Sequence, residues 1–271
     1  MASDRGAFIW YELMTTDRES AADFYREVVG WTFAQESTAP PGGPDYRMIL
    51  RADGGRAGGV LTLTEAMCEA GAAPGWLGYV HHPDVDRAVA RIVEAGGSVH
   101  VAPHDMEGVG RIALVQDPQG AAIYVMRPAP PPGPPPRQPD AKSDVFDDAR
   151  AQHVRWNELQ TREPQAAAAL YGEVFGWEQK ETMPMGEMGA YRFLHRGDAM
   201  IGAIMPHLPA APRTGWTFYL GVDDIDRAAR AVTDRGGRHL DEITEIPGGE
   251  FALQCTDPQG AIVGLIGPRR R

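Results

Sequence analysis

The chain has 271 residues, 43% of them hydrophobic and 23% charged, with a formal net charge of −11. That length favours two domains and allows a sizeable core, while an acidic balance without clustered Lys and Arg argues against nucleic acid as a partner. Cys68 and Cys255 lack disulfide or metal spacing, and no stretch of 18 apolar residues or leader-like apolar segment is present, so the expected protein is cytoplasmic, reduced and clear of the membrane.

Read from the N-terminus, FIWYELMT gives an opening strand, and a helix follows it. Thr16 and Glu19 have capping-box spacing, Ala21, Phe24, Tyr25 and Val28 make an apolar stripe, and Gly30 stands where the helix should stop. The β-like runs YRMILR, GGVLTL and WLGYVH come next, broken by Gly and Pro. A second helix is expected from Asp84 as N-cap through Val85, Ala88, Val89 and Ile92 to Gly96. RIALVQ and AAIYVM then flank Asp117-Pro118-Gln119-Gly120, a tight turn in which Pro presets φ and Gly supplies a permissive position.

Residues 127–144 hold eight prolines, the composition of an extended, semi-stiff spacer. Beyond it the pattern starts again. Trp10, Glu12, Leu13, Tyr25, Gly30 and Trp31 map onto Trp156, Glu158, Leu159, Tyr171, Gly176 and Trp177. Tyr46-Arg47 maps onto Tyr191-Arg192, and Asp117–Ala121 recurs at Asp257–Ala261. The chain is an internal duplication with modules at 1–127 and 150–271 joined by a linker at 128–149. Each module is expected to hold two βαβββ units.

This ordered set of strand, Tyr-containing helix, Asp-Arg-Ala helix and Asp-Pro-Gln-Gly hairpin resembles the glyoxalase/bleomycin-resistance/extradiol-dioxygenase superfamily, also called vicinal oxygen chelate proteins, in its tandem form. The resemblance implies an α+β fold in which each module curls eight strands into a cup with helices outside and a ligand site in the concavity. It also implies a divalent metal held by His, Gln or Glu on three strands. Those places fall on Trp10, Leu77 and Tyr124 in the first module and on Trp156, Thr217 and Gly264 in the second. Indole offers only a donor, and Leu and Gly offer no side-chain lone pair. The expectation is therefore no metal ligand and no cofactor, with the divalent metal as the family's alternative.

Strand alternation places Glu12 beside Trp10 and Met14, and Glu158 beside Trp156 and Gln160. Glu12 and Glu158 are the candidate catalytic residues, since a carboxylate in an aromatic concavity can serve as general base or anchor a cation. The alternative is that each is ion-paired, for instance with Arg47 or Arg192. Trp10, Tyr79, His81, Tyr124, Met126, Trp156, Thr217 and Tyr219 are the candidate ligand-binding set, with core packing as the alternative for the aromatics. In His81-His82 only His81 should face inward, and His100 and His104 read as loop or edge residues.

The functional expectation is a protein that binds a small hydrophobic or aromatic molecule in its cup. The alternative is a lyase, isomerase or dioxygenase-like enzyme, working through unrecognised metal ligands or through Glu and Tyr acid–base chemistry. A monomer or a homodimer fits either reading.

Overall fold

The computed structural model of the protein describes residues 4–39, 42–129, 143–208 and 214–270. Most of the expected proline spacer, residues 130–142, lies outside the described residues. The first module runs β1 (Phe8–Thr15), α1 (Arg18–Val28), β2 (Thr32–Phe33), β3 (Tyr46–Leu50), β4 (Arg56–Thr62), α2 (Glu65–Glu69), β5 (Gly75–His81), α3 (Val85–Glu94), β6 (Ser98–Met106), β7 (Gly110–Gln116) and β8 (Ala122–Pro128). The second runs β9 (Val154–Thr161), α4 (Pro164–Phe175), β10 (Glu178–Pro184), β11 (Ala190–Arg196), β12 (Ala199–Pro206), β13 (Gly215–Gly221), α5 (Ile225–Asp234), β14 (Arg238–His239), β15 (Thr244–Glu245), β16 (Phe251–Thr256) and β17 (Ile262–Gly267). The strands form two mixed sheets, ordered β2-β3-β4-β1-β5-β8-β7-β6 and β10-β11-β12-β9-β13-β17-β16-β14, with β15 on β16. The fold is α+β, as the repeat pattern requires.

Local chemistry sets the helix ends. The cap of α1 is Asp17 and not Thr16: the Asp17 carboxylate accepts from the Ser20 N–H at 3.0 Å, while the Thr15 hydroxyl accepts from the Asp17 N–H. The expected capping box is therefore absent, because a carboxylate one residue later satisfies the first-turn donor. Asp84 caps α3 as expected, accepting from the Arg87 N–H, and Gly176 ends α4 with φ +74°. The short helix α2, which the sequence reading did not foresee, is capped by Thr64 and carries the exposed Cys68.

By contact, the chain divides into two compact units that do not follow chain order. One joins the second half of the first module, from Gly78, to the first half of the second, Asn157–Trp216. The other joins Trp10–Leu77 to the segment from Thr217 onward. In this latter unit α1 packs on α5. Tyr11 of β1 meets Phe218 of β13 edge-on at 5.1 Å.

The Tyr25 hydroxyl, fully buried, donates to Asp257 Oδ2 at 3.2 Å and accepts from Trp76 Nε1 at 2.8 Å. Asp257 belongs to the second Asp-Pro-Gln-Gly turn, where its other oxygen accepts from the N–H groups of Gln259 and Ala261. The Trp31 indole donates to the Gln152 carbonyl at 2.9 Å. Gln152 has φ +62°, the one positive φ outside glycine among the described residues, and its side-chain oxygen accepts from the Ala52 N–H.

The other unit repeats this with the modules exchanged. Tyr171 donates to Asp117 Oδ2 at 3.0 Å, Asp117 Oδ1 accepts from the N–H groups of Gln119 and Ala121, and the Trp177 indole donates to the Gly6 carbonyl at 2.7 Å. The repeated Tyr, Trp and Asp thus answer the question that the duplicated sequence raises. Each links a helix of one module to a turn or leading segment of the other. Burial, then the charge of the facing aspartate, pushes both phenols well above the ordinary tyrosine value, so each keeps its proton as a donor.

Removing either phenol leaves a buried carboxylate one donor short. Tyr25→Phe and Tyr171→Phe should each lower unfolding stability by about 1–3 kcal/mol in urea titrations. Burial also pushes the Asp257 carboxyl above its ordinary value, against the hydrogen bonds it accepts. A raised folded value favours the protonated form, so this group's contribution is fully present below about pH 4 and is lost as pH rises through the raised value. The melting difference between the wild type and Asp257→Asn should therefore move against the wild type across that range, and a flat difference would contradict it.

Candidate functional site

In-register neighbours in a sheet share a face, and this assigns the surroundings of each candidate. Glu12 lies in register with Gly59, which in turn opposes Met48. Trp10 Nε1 donates to the Tyr46 hydroxyl oxygen at 2.7 Å. A Cβ on Gly59 would fall 2.2 Å from that oxygen, so the phenol lies over the bare glycine. Glu12 is 3% exposed.

The second module departs from this arrangement at Ala203 for Gly59, Phe193 for Met48 and Gln160 for Met14. Glu158 lies in register with Ala203, which opposes Phe193. Here Tyr191 donates to Glu158 Oε2 at 2.7 Å, and Gln160 Nε2 approaches Glu158 Oε1 at 3.4 Å. Ala203 stands in register where the first module has Gly59. Glu158 is buried, as are Gln160 and Thr217.

Trp156 lies on β9 beside Glu158, and the remaining candidates sit on the paired strands β5–β8 and β13–β17. Tyr79 and Tyr124 are in register and stack with centroids 4.1 Å apart and planes at 16°. His81 pairs with Met126 on the same face, and burial holds its imidazole below the ordinary value, against the charge of Asp4. In the second module Gly264 replaces Tyr124. The Tyr219 ring covers it so closely that a Cβ there would come within 2.3 Å, and Gln254 Nε2 donates to the Tyr219 hydroxyl at 2.7 Å.

Two expectations are corrected. Arg47 does not neutralise Glu12: it is in register with Val60, and hence with Leu13, on the opposite face, where it pairs with Asp45. Arg192, in register with Ile204, is likewise on the opposite face from Glu158. His82 is buried and its Nδ1 accepts from the Asp84 N–H at the start of α3, and exposed His100 and His104 lie on the strand β6 at one end of its sheet order. Tyr46, Tyr191 and Gln254 were not singled out by the sequence reading. The repeated Tyr-Arg pair was the available signal for the first two, and Gln254 had none.

The places at which the resemblance implies metal ligands hold residues that do not fit a metal. Trp10 uses its N–H on Tyr46, Tyr124 is stacked on Tyr79, and Gly264 is covered by Tyr219. Among the described residues no group of three or more His, Cys, Asp or Glu could hold an ion. No helix among them is long and apolar enough to cross a membrane.

The chain belongs to the Glyoxalase/Bleomycin resistance protein/Dioxygenase superfamily, which it matches over residues 7–125 and 150–265. It is 32% identical over 261 residues to CFP32 of Mycobacterium tuberculosis (strain CDC 1551 / Oshkosh), a glyoxylase by name, covering 96% of this chain and 94% of that one. It is 28% identical over 282 residues to the anthracycline biosynthesis protein DauV of Streptomyces sp. (strain C5), covering 96% and 93%. Among solved structures, its fold resembles the Mn(II)-bound glyoxalase from Novosphingobium aromaticivorans with a TM-score of 0.61 at 15% identity, covering 98% of this chain and 83% of that one. It also resembles the 2,3-dioxygenase LapB from Pseudomonas sp. KL28, with a TM-score of 0.59 at 12% identity and coverage of 99% and 94%.

The two bare glycines differ in what an added methyl would meet. Gly59→Ala would touch the far end of the Tyr46 side chain, which can swing aside, whereas Gly264→Ala would strike the base of the Tyr219 ring. Gly264→Ala is expected to cost about 1–3 kcal/mol by overpacking, and Gly59→Ala less. The latter should also break the Trp10–Tyr46 bond, which ultraviolet resonance Raman spectra of the indole N–H would report.

Proposed function

We propose that this protein binds a small, planar, partly aromatic molecule on the faces that carry Glu12 and Glu158, without a metal ion. The observation that supports it best is the part-buried Tyr191–Glu158 hydrogen bond at 2.7 Å, on a face shared with Phe193. A carboxylate and phenol in an apolar setting can accept a ligand's hydroxyl or cation with little competition from water. The Tyr79–Tyr124 stack offers a flat aromatic wall of the kind that planar ligands use. The likeness to an anthracycline biosynthesis protein points to the same ligand class, since anthracyclines are planar polycyclic compounds.

A second reading rests on the same bond. A tyrosine donating to a buried glutamate is a proton relay in place, and it supports lyase or isomerase chemistry by Glu158 with Tyr191, without a metal.

The test is a titration with a planar anthraquinone in EDTA, read by tryptophan fluorescence and by melting temperature. Saturable quenching and a rise in melting temperature are expected, unchanged by EDTA, with affinity falling about tenfold in Glu158→Gln as one charge-assisted hydrogen bond is lost. A stoichiometric transition metal retained through purification, with binding abolished by its removal, would overturn the reading.

A further inference from the structure

The face opposite Glu12 and Glu158 shows a second contrast between the modules. In the first, Arg47 Nε donates to both oxygens of Asp45, at 3.0 and 3.1 Å, and Arg18 and Thr62 donate to the same carboxylate. Burial would push the Asp45 carboxyl up, but hydrogen bonds from Arg47 and Arg18 outweigh it and hold the group below the usual range. Arg47 is thus a cation whose carboxylate is built into the chain.

Arg192 stands in the same place in the second module, in register with Ile204 as Arg47 is with Val60. Its partners are gone: Pro164 replaces Arg18, Ala190 replaces Asp45 and Pro206 replaces Thr62. Among the described residues, the Arg192 side chain makes no ion pair or hydrogen bond, although its Nε is shielded from solvent. Thr161 is in register with Pro206, on the same face; it is fully buried, and its hydroxyl also lacks a partner. A guanidinium Nε–H and a hydroxyl withdrawn from water without acceptors are each destabilising. The carboxylate that would compensate the arginine has been replaced by a methyl group.

We propose that Arg192 receives the carboxylate of a small acidic molecule, seated where the Asp45 side chain sits in the first module. This subsite is separate from the Glu158 face, and it stands or falls independently of the ligand proposed there.

The test substitutes acetate for chloride at constant ionic strength on the full chain, reading the Arg192 Nε–H resonance and the melting temperature. The expected result is a saturable shift of that resonance and a rise in melting temperature. Ala190→Asp, which supplies the carboxylate from within, should melt above the wild type and bind acetate about tenfold more weakly or worse. Arg192→Met should remain folded and show no acetate response. An Nε–H resonance unmoved by acetate would overturn the proposal, as would either variant responding to acetate as the wild type does.

Discussion

Each Asp-Pro-Gln-Gly turn hands one carboxylate oxygen to its own backbone and the other to a tyrosine of the opposite module. The first oxygen closes the turn. The second ties that turn to the first helix of the other repeat, in a setting where an unmatched charge would be costly. Because the pairing occurs in both directions, neither module satisfies its buried aspartate alone. The compact units therefore cross the modules, each taking one half from either repeat. The duplicated Trp and Tyr are part of this constraint, since the indoles of Trp31 and Trp177 donate to carbonyls that precede the other module's opening strand.

Against that shared frame, differences between the modules change the chemistry of the sheet faces. In the first module the Tyr46 phenol accepts from the Trp10 indole beside Gly59, and in the second the Tyr191 phenol donates to Glu158 beside Ala203. A tyrosine at 124 and a glycine at 264 decide whether its neighbour stacks in parallel or lies flat over bare backbone. Duplication followed by such changes yields one scaffold with two dissimilar surfaces.

Much of this was legible in the sequence. The helices showed themselves through their apolar stripes and through caps such as Asp84, and the repeat told which strands correspond. Glu12 and Glu158 are both buried. What was not legible was non-local. Nothing in a linear pattern says that Tyr25 seeks Asp257, 232 residues away, instead of a group in its own module. The repeat offers Arg47 as an ion-pair partner for Glu12, but strand register puts the two on opposite sides of the sheet. The capping error at Thr16 was of another kind, a local competition that the stronger acceptor one residue later won.

The most direct measurement is to produce residues 1–129 and 143–271 as two separate chains, alone and together. If the buried tyrosine–aspartate pairs unite halves of both modules, each chain alone will lack a cooperative melt. The mixture will then assemble one to one and recover the melting behaviour of the intact protein. Two chains that fold independently and ignore each other would contradict the account.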